Sequence, residues 1–573
     1  MQNQRIFIWL GLLFILWLNV DAWMKDYGNP LTATPTSVPV TAEKQAPSAQ
    51  TPSAEPASGL TESLPEIGSV ASAAASSTTA PPEAATETHQ AGATVQLVTD
   101  VLDLDVSLTG GALVRTDLLE YPVKKDEPDT KVRLFNTDGP DTLFMYQSCL
   151  TTGQADRAEP NHKAEFTAPF RELRLRAGAE ELVLPLRWSD GAGLSVTKTY
   201  RLQRGKYAIE VGYDIVNDGA EPVSLAPYAQ LLRHWLPVKR SMFNVESYAF
   251  RGPAVYDGES YQKLKIDDDE DRNYAQRVTG GWMAALQHHF VAAIVPPAGE
   301  AWQQTLRVQD KDYLMRGVGP ARTIAAGARA HIAETVYLGP KLQAQLEAAG
   351  PRLELTADYG KLTILAQPLF WLLGKVHGFV GNWGWSIIIV TLLIKLVFYK
   401  LAETSGRSMA KMRTVAPRMK AIQERYKDDR EGQARAMMEL YKREKINPVA
   451  GCLPMVVQIP FFLAFYWVLL ESVEMRQAPF MGWIQDLSVR DPFFILPLLM
   501  GGAMFLQFKL NPTPPDPVQA KVFAFMPLIM TAMFAWFPAG LVLYWLTNTA
   551  LSIAQQWKIN RVVEAAAKKH QGG

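Results

Sequence analysis

From residue 380 onwards the chain turns apolar repeatedly, each time for about as long as a bilayer is thick. The segments 380–401, 449–470, 493–508 and 522–556 are rich in Leu, Ile, Val, Phe, Met and Trp, and a membrane-crossing helix needs about 20 predominantly apolar residues. The last segment is too long for one crossing. Phe537-Pro538-Ala539-Gly540 interrupts it, and proline breaks the helical hydrogen-bond ladder, so it divides into 522–536 and 538–556. A C-terminal core of five transmembrane helices is expected. A further span is expected at residues 1–24, where Arg5 precedes the apolar run Ile6–Val20, and Trp23 and Tyr27 follow. This pattern predicts an uncleaved anchor with its N-terminus inside. A cleavable signal peptide is the rival reading, because Val20-Asp21-Ala22 loosely fits a small-x-small cleavage site.

Basic residues set the orientation. The stretch 402–447 carries Arg407, Lys411, Arg413, Arg418, Lys420 and further cations up to Lys445, Lys509 and Lys521 flank the next loop, and Lys558 and Arg561 begin a basic tail at 557–573. Six spans place all three regions, and Arg5, on the cytoplasmic side. The large segment between the first two spans then lies in the periplasm. Lys plus Arg equals Asp plus Glu at 57 each, which excludes a uniformly basic nucleic-acid binder. No recognition of a specific nucleic-acid sequence is expected.

Residues 25–94 form a linker of Pro, Ser, Thr and Ala that holds no aromatic residue from Pro30 to Thr94, too little apolar surface to offset ordering entropy. Residues 95–343 alternate instead. Leu102, Leu104, Val106 and Leu108, and again Ile209, Val211, Tyr213 and Ile215, point to half-buried antiparallel strands. Gly110-Gly111, Asp190-Gly191 and Asn217-Asp218-Gly219 supply the turns. One large antiparallel β-sandwich is expected. Residues 344–379 make a connector whose apolar run, Ile364 to Leu373, is too short to span and suits an interfacial amphipathic helix. A core helix of the sandwich is the alternative. In 402–447, Met409, Met412, Ala416 and Met419, then Ala434, Met437, Met438 and Tyr441, recur at helical spacing and predict a helical hairpin. Its basic face suits anionic lipid or ribosomal RNA, or is merely solvated.

Polar residues inside spans are costly, so their alignment is informative. Thr391 and Lys395 share a helix face, Gln458 precedes Pro460, and Asn548, Ser552 and Gln555 fall on one stripe, as do Met500, Met504 and Gln507. Several such stripes suggest a bundle around a wet, partly polar cavity. Each has a plainer reading: Lys395 snorkelling to headgroups, the hydroxyls as interhelical glue, the methionines as packing. Asp267 to Asp271 lacks the Gly and Glu of a calcium loop. His288-His289 sits in a strand-like run whose adjacent side chains point to opposite faces. Two cysteines, Cys149 and Cys452, make no disulfide scaffold. No metal, cofactor, nucleotide loop or nucleophile motif is expected. A secondary solute transporter or channel is an alternative use of the polar stripes, but it calls for internal pseudo-symmetry that the sequence does not display.

Gly381-Asn382-Trp383-Gly384-Trp385-Ser386, Asn447-Pro448-Val449-Ala450-Gly451-Cys452-Leu453-Pro454, Gln458-Ile459-Pro460-Phe461-Phe462 and Phe537-Pro538-Ala539-Gly540-Leu541 resemble the YidC membrane protein insertases of Gram-negative bacteria. The resemblance covers anchor, linker, periplasmic domain and five-helix core. It implies a chaperone and insertase of the inner membrane, not an enzyme, acting alone or with the Sec translocon on nascent membrane proteins, with the ribosome at the hairpin and tail. It also implies a hydrophilic groove in which Lys395 takes the place of the family's usual Arg, with Thr391, Gln458, Asn548 and Ser552 around it. Phe462, Met500, Met533, Tyr544 and Trp545 would line the apolar path of the incoming span. Lys400 stands where the family usually has Pro.

Overall fold

The computed structural model describes residues 93–152, 158–237, 249–427, 429–444, 453–510 and 517–571. The anchor 1–24, nearly all of the linker, Cys452 and the Asn447–Gly451 motif lie outside the described residues. Thr94, the last linker residue, already opens a strand.

The alternating segments pair into two sheets. The first has eleven strands, in the order Ala275–Thr279, Ala301–Gln309, Asp312–Val318, Val223–His234, Phe144–Thr151, Leu113–Lys124, Leu102–Ser107, Thr94–Val98 and Glu172–Arg174; Arg322–Ile324 and Glu127–Phe135 pair beside this path. The second has eight: Tyr261–Lys263, Gly252–Tyr256, Trp282–Leu286, Phe290–Val295, Arg329–Pro340, Ala208–Asn217, Leu194–Gln203 and Glu181–Ser189. One departure corrects the expected all-antiparallel sandwich: Thr94–Val98 runs parallel to Glu172–Arg174, with Leu97 opposite Leu173. The intervening chain is long enough to return in the same direction, which a tight hairpin cannot do.

Period-two burial follows the pattern of the residues. Leu102, Leu104 and Val106 are buried, while Asp103 and Asp105 on the opposite face meet Arg115 of the next strand at 2.9 and 2.6 Å. The apolar faces of both sheets merge into one core. At its centre lies an exception, Lys198, fully buried in register with Val196 and Tyr200. Its Nζ donates to the carbonyls of Gly110, Gly111 and Ser148 at 3.1, 2.9 and 2.6 Å. Gly110 and Gly111 present those carbonyls from a left-handed turn, φ +67° and +57°, a conformation glycine adopts without strain.

The acidic run builds a one-turn helix, α1 (Asp269–Arg272), whose N-cap Asp268 accepts from the Glu270 amide. A short α2 (Gln343–Ala349) follows the last strand. α3 (Thr363–Val380) ends on Gly381 in the left-handed region, its amide returning to the His377 carbonyl at 2.7 Å. Asn382 caps α4 (Trp383–Val397) by accepting from the Trp385 amide at 3.1 Å. α5 (Tyr399–Arg425) and α6 (Arg430–Arg443) follow, then α7 (Leu453–Glu471), α8 (Ile495–Leu510), α9 (Pro517–Phe534) and α10 (Ala539–Gln571). α7 packs against α3 and α10, α4 against α10, and α8 against α9 and α10, so α10 is the hub.

Lys411–Pro448 belongs to a compact unit distinct from the rest of the described chain. In it Val415, Met419 and Leu440 are buried against Met412, Ile422, Met437 and Tyr441, so α5 and α6 pack on one another. Arg418 and Glu444 close it at 2.6 Å.

Among the described residues no helix is long and apolar enough to cross a membrane. The expected spans are shorter or more mixed as helices than as hydropathy runs. Segment 380–401 is split at Phe398, which leaves α4 with 15 residues; α8 has 16; α9 starts before Lys521; and α10 runs on as one helix of 33 residues into the basic tail.

Candidate functional site

Lys395, in the last turn of α4, extends to α10 and donates from Nζ to Ser552 Oγ at 2.8 Å. Ser552 Oγ in turn donates to the Asn548 carbonyl one turn back, at 2.7 Å. Gln555 Nε2 donates to the Tyr399 carbonyl at 3.3 Å, just past the break at Phe398. The two polar stripes thus face one another. Thr391 is buried on the same face as Lys395, but its Oγ1 donates to the Ile387 carbonyl of its own helix at 2.6 Å. Gln458 is half-buried on α7; nearby, Phe461 meets Phe398 edge to face at 5.0 Å.

One helical turn towards the Pro538 corner the neighbours become aromatic. Phe462 packs on Trp545 and Tyr544 with centroids 4.3 and 5.2 Å apart, Trp545 on Phe534 at 4.1 Å, and Tyr544 on Phe465 at 4.9 Å. Met500 is fully buried in the same core. Met533 is not part of the cluster. It is 41% exposed, because its neighbour Phe534 takes the inward face of α9. Phe465 and Phe534 carry no signal in the sequence, where they are two among many aromatic or apolar positions in a span. A cavity of about 510 Å³ opens beside Trp385, Trp483, Leu543 and Leu546.

A second constellation was illegible beforehand. His288 and His289 are not on a strand: they form the turn between Trp282–Leu286 and Phe290–Val295, so strand alternation does not apply and their rings stack at 3.8 Å. Both are buried. Burial holds His288 down to about 3 and His289 well below the usual imidazole range. Glu471, at the end of α7, lies 3.9 Å from His288 Nε2. Lys341, at the end of the last strand, is shifted down by burial and partly restored by Glu471. Around them the β-sandwich joins the helices: Arg476 donates to the carbonyls of Pro122 and Val123 at 2.7 and 3.0 Å, and Lys125 to that of Gln485 at 2.6 Å. Among the described residues no group of His, Cys, Asp and Glu is placed to hold a metal ion.

The chain is 44% identical to the membrane protein insertase YidC of Pseudomonas fluorescens over 99% of its own length and 100% of that protein. It belongs to the YidC membrane protein insertase family. The YidC proteins of Stutzerimonas stutzeri and Thioalkalivibrio sulfidiphilus are 43% and 44% identical over 99% of the chain and the whole of each relative. The YidC periplasmic domain family matches residues 94–372, and the 60Kd inner membrane protein family matches 375–567. The boundary falls within α3. A solved structure of an active YidC insertase with its first transmembrane domain resolved covers 80% of this chain and 90% of its own, with a TM-score of 0.35 and 17% identity. The two family matches divide the chain as its elements do, a β-rich periplasmic domain followed by helices.

Proposed function

We propose that this chain inserts and folds integral proteins of the bacterial inner membrane through a hydrophilic groove floored by Lys395, Ser552 and Asn548. The observation that carries the reading is the 2.8 Å contact of Lys395 with Ser552 inside a bundle whose outer surface is apolar. Leu396, Val397, Leu498, Phe525 and Leu528 are each more than half exposed, an apolar surface that suits lipid and not water. α4, α7, α8, α9 and the first half of α10 are then the five crossings, α4 gaining length from the first turns of α5 beyond Phe398. The β-sandwich lies in the periplasm and the α5–α6 pair in the cytoplasm.

A charge held on a serine hydroxyl is a point donor. Lys lacks the planar fork of Arg, so a carboxylate on an entering chain would be met by one ammonium and not clamped bidentately. The polar floor shelters hydrophilic portions of a client from the several-kcal/mol cost of bare hydrocarbon. The client's own apolar segment moves along Phe462, Tyr544 and Trp545 into lipid, driven by burial of about 20 apolar residues. No covalent step, nucleotide or cofactor is needed. The clients are nascent membrane proteins, with the Sec translocon as partner in one mode and ribosome contact at the α5–α6 pair and basic tail.

A photocrosslinker at Gln458 or Thr391, with ribosome-stalled nascent chains, tests the groove. Crosslinks are expected to membrane-protein chains and not to soluble ones. Lys395→Ala is expected to weaken crosslinking and insertion of chains with acidic translocated segments by about tenfold, one charge-assisted contact, whereas Lys395→Arg keeps both. No nascent-chain crosslinks from either position would reject the groove.

A further inference from the structure

A cavity of about 740 Å³ lies at the junction of the β-sandwich and the helices, between the Lys124–Glu127 hairpin tip, the His288-His289 turn and the loop joining α7 to α8. Five Lys and Arg side chains line it against two carboxylates, Asp126 and Asp486; of the five, Lys124 is paired with Glu127 at 2.7 Å. Asp486 is occupied by its own turn, accepting from the Ser488 amide and hydroxyl at 2.8 and 2.7 Å. Lys125 spends a hydrogen bond on a neutral carbonyl, which leaves its charge uncompensated there. Deeper in, where both rings are more than nine-tenths buried, His289 Nδ1 has no hydrogen-bond partner among the described residues, while His288 Nε2 also lacks a hydrogen bond but faces the Glu471 carboxylate at 3.9 Å. Buried polar atoms are rarely left so. The cavity is shaped and charged for an anion with several acceptor oxygens.

The anion has a second half. Trp483 lines this cavity and also the apolar 510 Å³ cavity of Trp385, Ile388, Leu543 and Leu546, so a basic chamber and a greasy one share a wall. Met481, Phe493 and Phe494 stand exposed on the same loop. A free phosphate or an acidic side chain would use only the first chamber. We infer that the junction binds one anionic phospholipid of the periplasmic leaflet, its phosphate among Lys125, Arg490 and the two histidines and its acyl chains beside Trp483 and Trp385. This rests on the reading above that α7 and α8 cross the membrane, which places their connecting loop at the periplasmic surface. The lipid would fill the seam between the two domains and tie the β-sandwich to the membrane.

The test is native mass spectrometry of the full-length protein titrated with phosphatidylglycerol, phosphatidylcholine and glycerol phosphate. One phosphatidylglycerol is expected to be retained about tenfold better than phosphatidylcholine, with glycerol phosphate unable to displace it. Lys125→Gln with Arg490→Gln, both exposed, is expected to bring that preference to about parity. Met481→Glu, which sets a carboxylate on the wall of the apolar chamber, is expected to lower retention of both lipids. Equal retention of the lipids by the natural chain, or an unchanged preference in correctly melting variants, overturns the inference. Displacement by glycerol phosphate makes the cavity a soluble-anion site, and displacement by an acidic client peptide makes it a client site; either result rejects the lipid. Client insertion is measured in parallel. Lipid retention lost with insertion intact refutes only the lipid site, and retention without insertion refutes only the insertase reading.

Discussion

Glu334 is buried among Tyr146, Tyr213 and Lys198, with the Tyr146 hydroxyl donating to Oε1 at 2.7 Å and Ser148 bonded to the Tyr213 hydroxyl at 2.6 Å. Burial pushes its carboxyl up to about 7. A carboxyl raised in the folded state keeps its proton while the unfolded chain loses it. Its stabilising contribution is therefore complete below the ordinary carboxylate value of 4.5 and is lost as pH climbs to about 7, a loss of roughly 3 kcal/mol. Glu334→Gln keeps the acceptor for Tyr146 and has no proton to lose. Thermal melts of the β-domain from pH 4.5 to 7.5 are expected to show a downward slope in the natural chain and a flatter one in the variant. Position 334 falls on the inward face of an alternating strand, so its burial was legible in the sequence. Its hydroxyl partners, from strands nearly two hundred residues away, were not.

At the scale of elements, capping and patterning carried most of the information. Asn382, Gly381 and Asp429 stop and start helices where their chemistry suits. The α5–α6 pair was readable from methionine spacing, although Val415 and Leu440 bury more completely than several of the methionines. Leu440→Ala is expected to cost about 2–3 kcal/mol locally. Hydrogen exchange should then speed up in 430–443 and stay unchanged in the β-sandwich, because the pair belongs to a separate compact unit. Gly384 tells a different story. It looks like any glycine in an aromatic motif, yet a side chain there would collide with the Phe480 ring. Gly384→Val is expected to force Phe480 and the α7–α8 loop outward at about 1–3 kcal/mol, seen as a lower melting temperature and greater protease sensitivity around 478–487. Nothing within α4 announces that contact, since Phe480 arrives from nearly a hundred residues away.

At the scale of the molecule, the polar contacts between the β-sandwich and the helices include, among the described residues, Arg476 on the Pro122 and Val123 carbonyls, Gln477 on that of Pro122, Lys125 on Gln485 and His288 beside Glu471. The helical core has its own buried cluster, from Ala357 to Tyr544. Deleting 95–343 is expected to leave insertion largely intact in a vesicle assay. Exchange should rise only at 471–492, where Glu471 and Arg476 lose their β-domain neighbours. Collapse of insertion with the deletion would make the β-domain the working part.

Hydropathy and residue period are local quantities, so the sequence by itself determined where apolar and alternating runs fall and which residues share a stripe. It placed Lys395 and Ser552 on stripes, and it placed Phe462 and Trp545 in apolar segments. Only the tertiary structure decided which stripe meets which: that Lys395 reaches Ser552, that Thr391 satisfies itself on its own helix, that Phe534 and not Met533 joins the aromatic cluster, and that two histidines share a turn. Side-chain partners across 100 or more residues depend on how helices rotate about their axes when they pack, and on turns that override alternation. Neither is written in the spacing of a single segment.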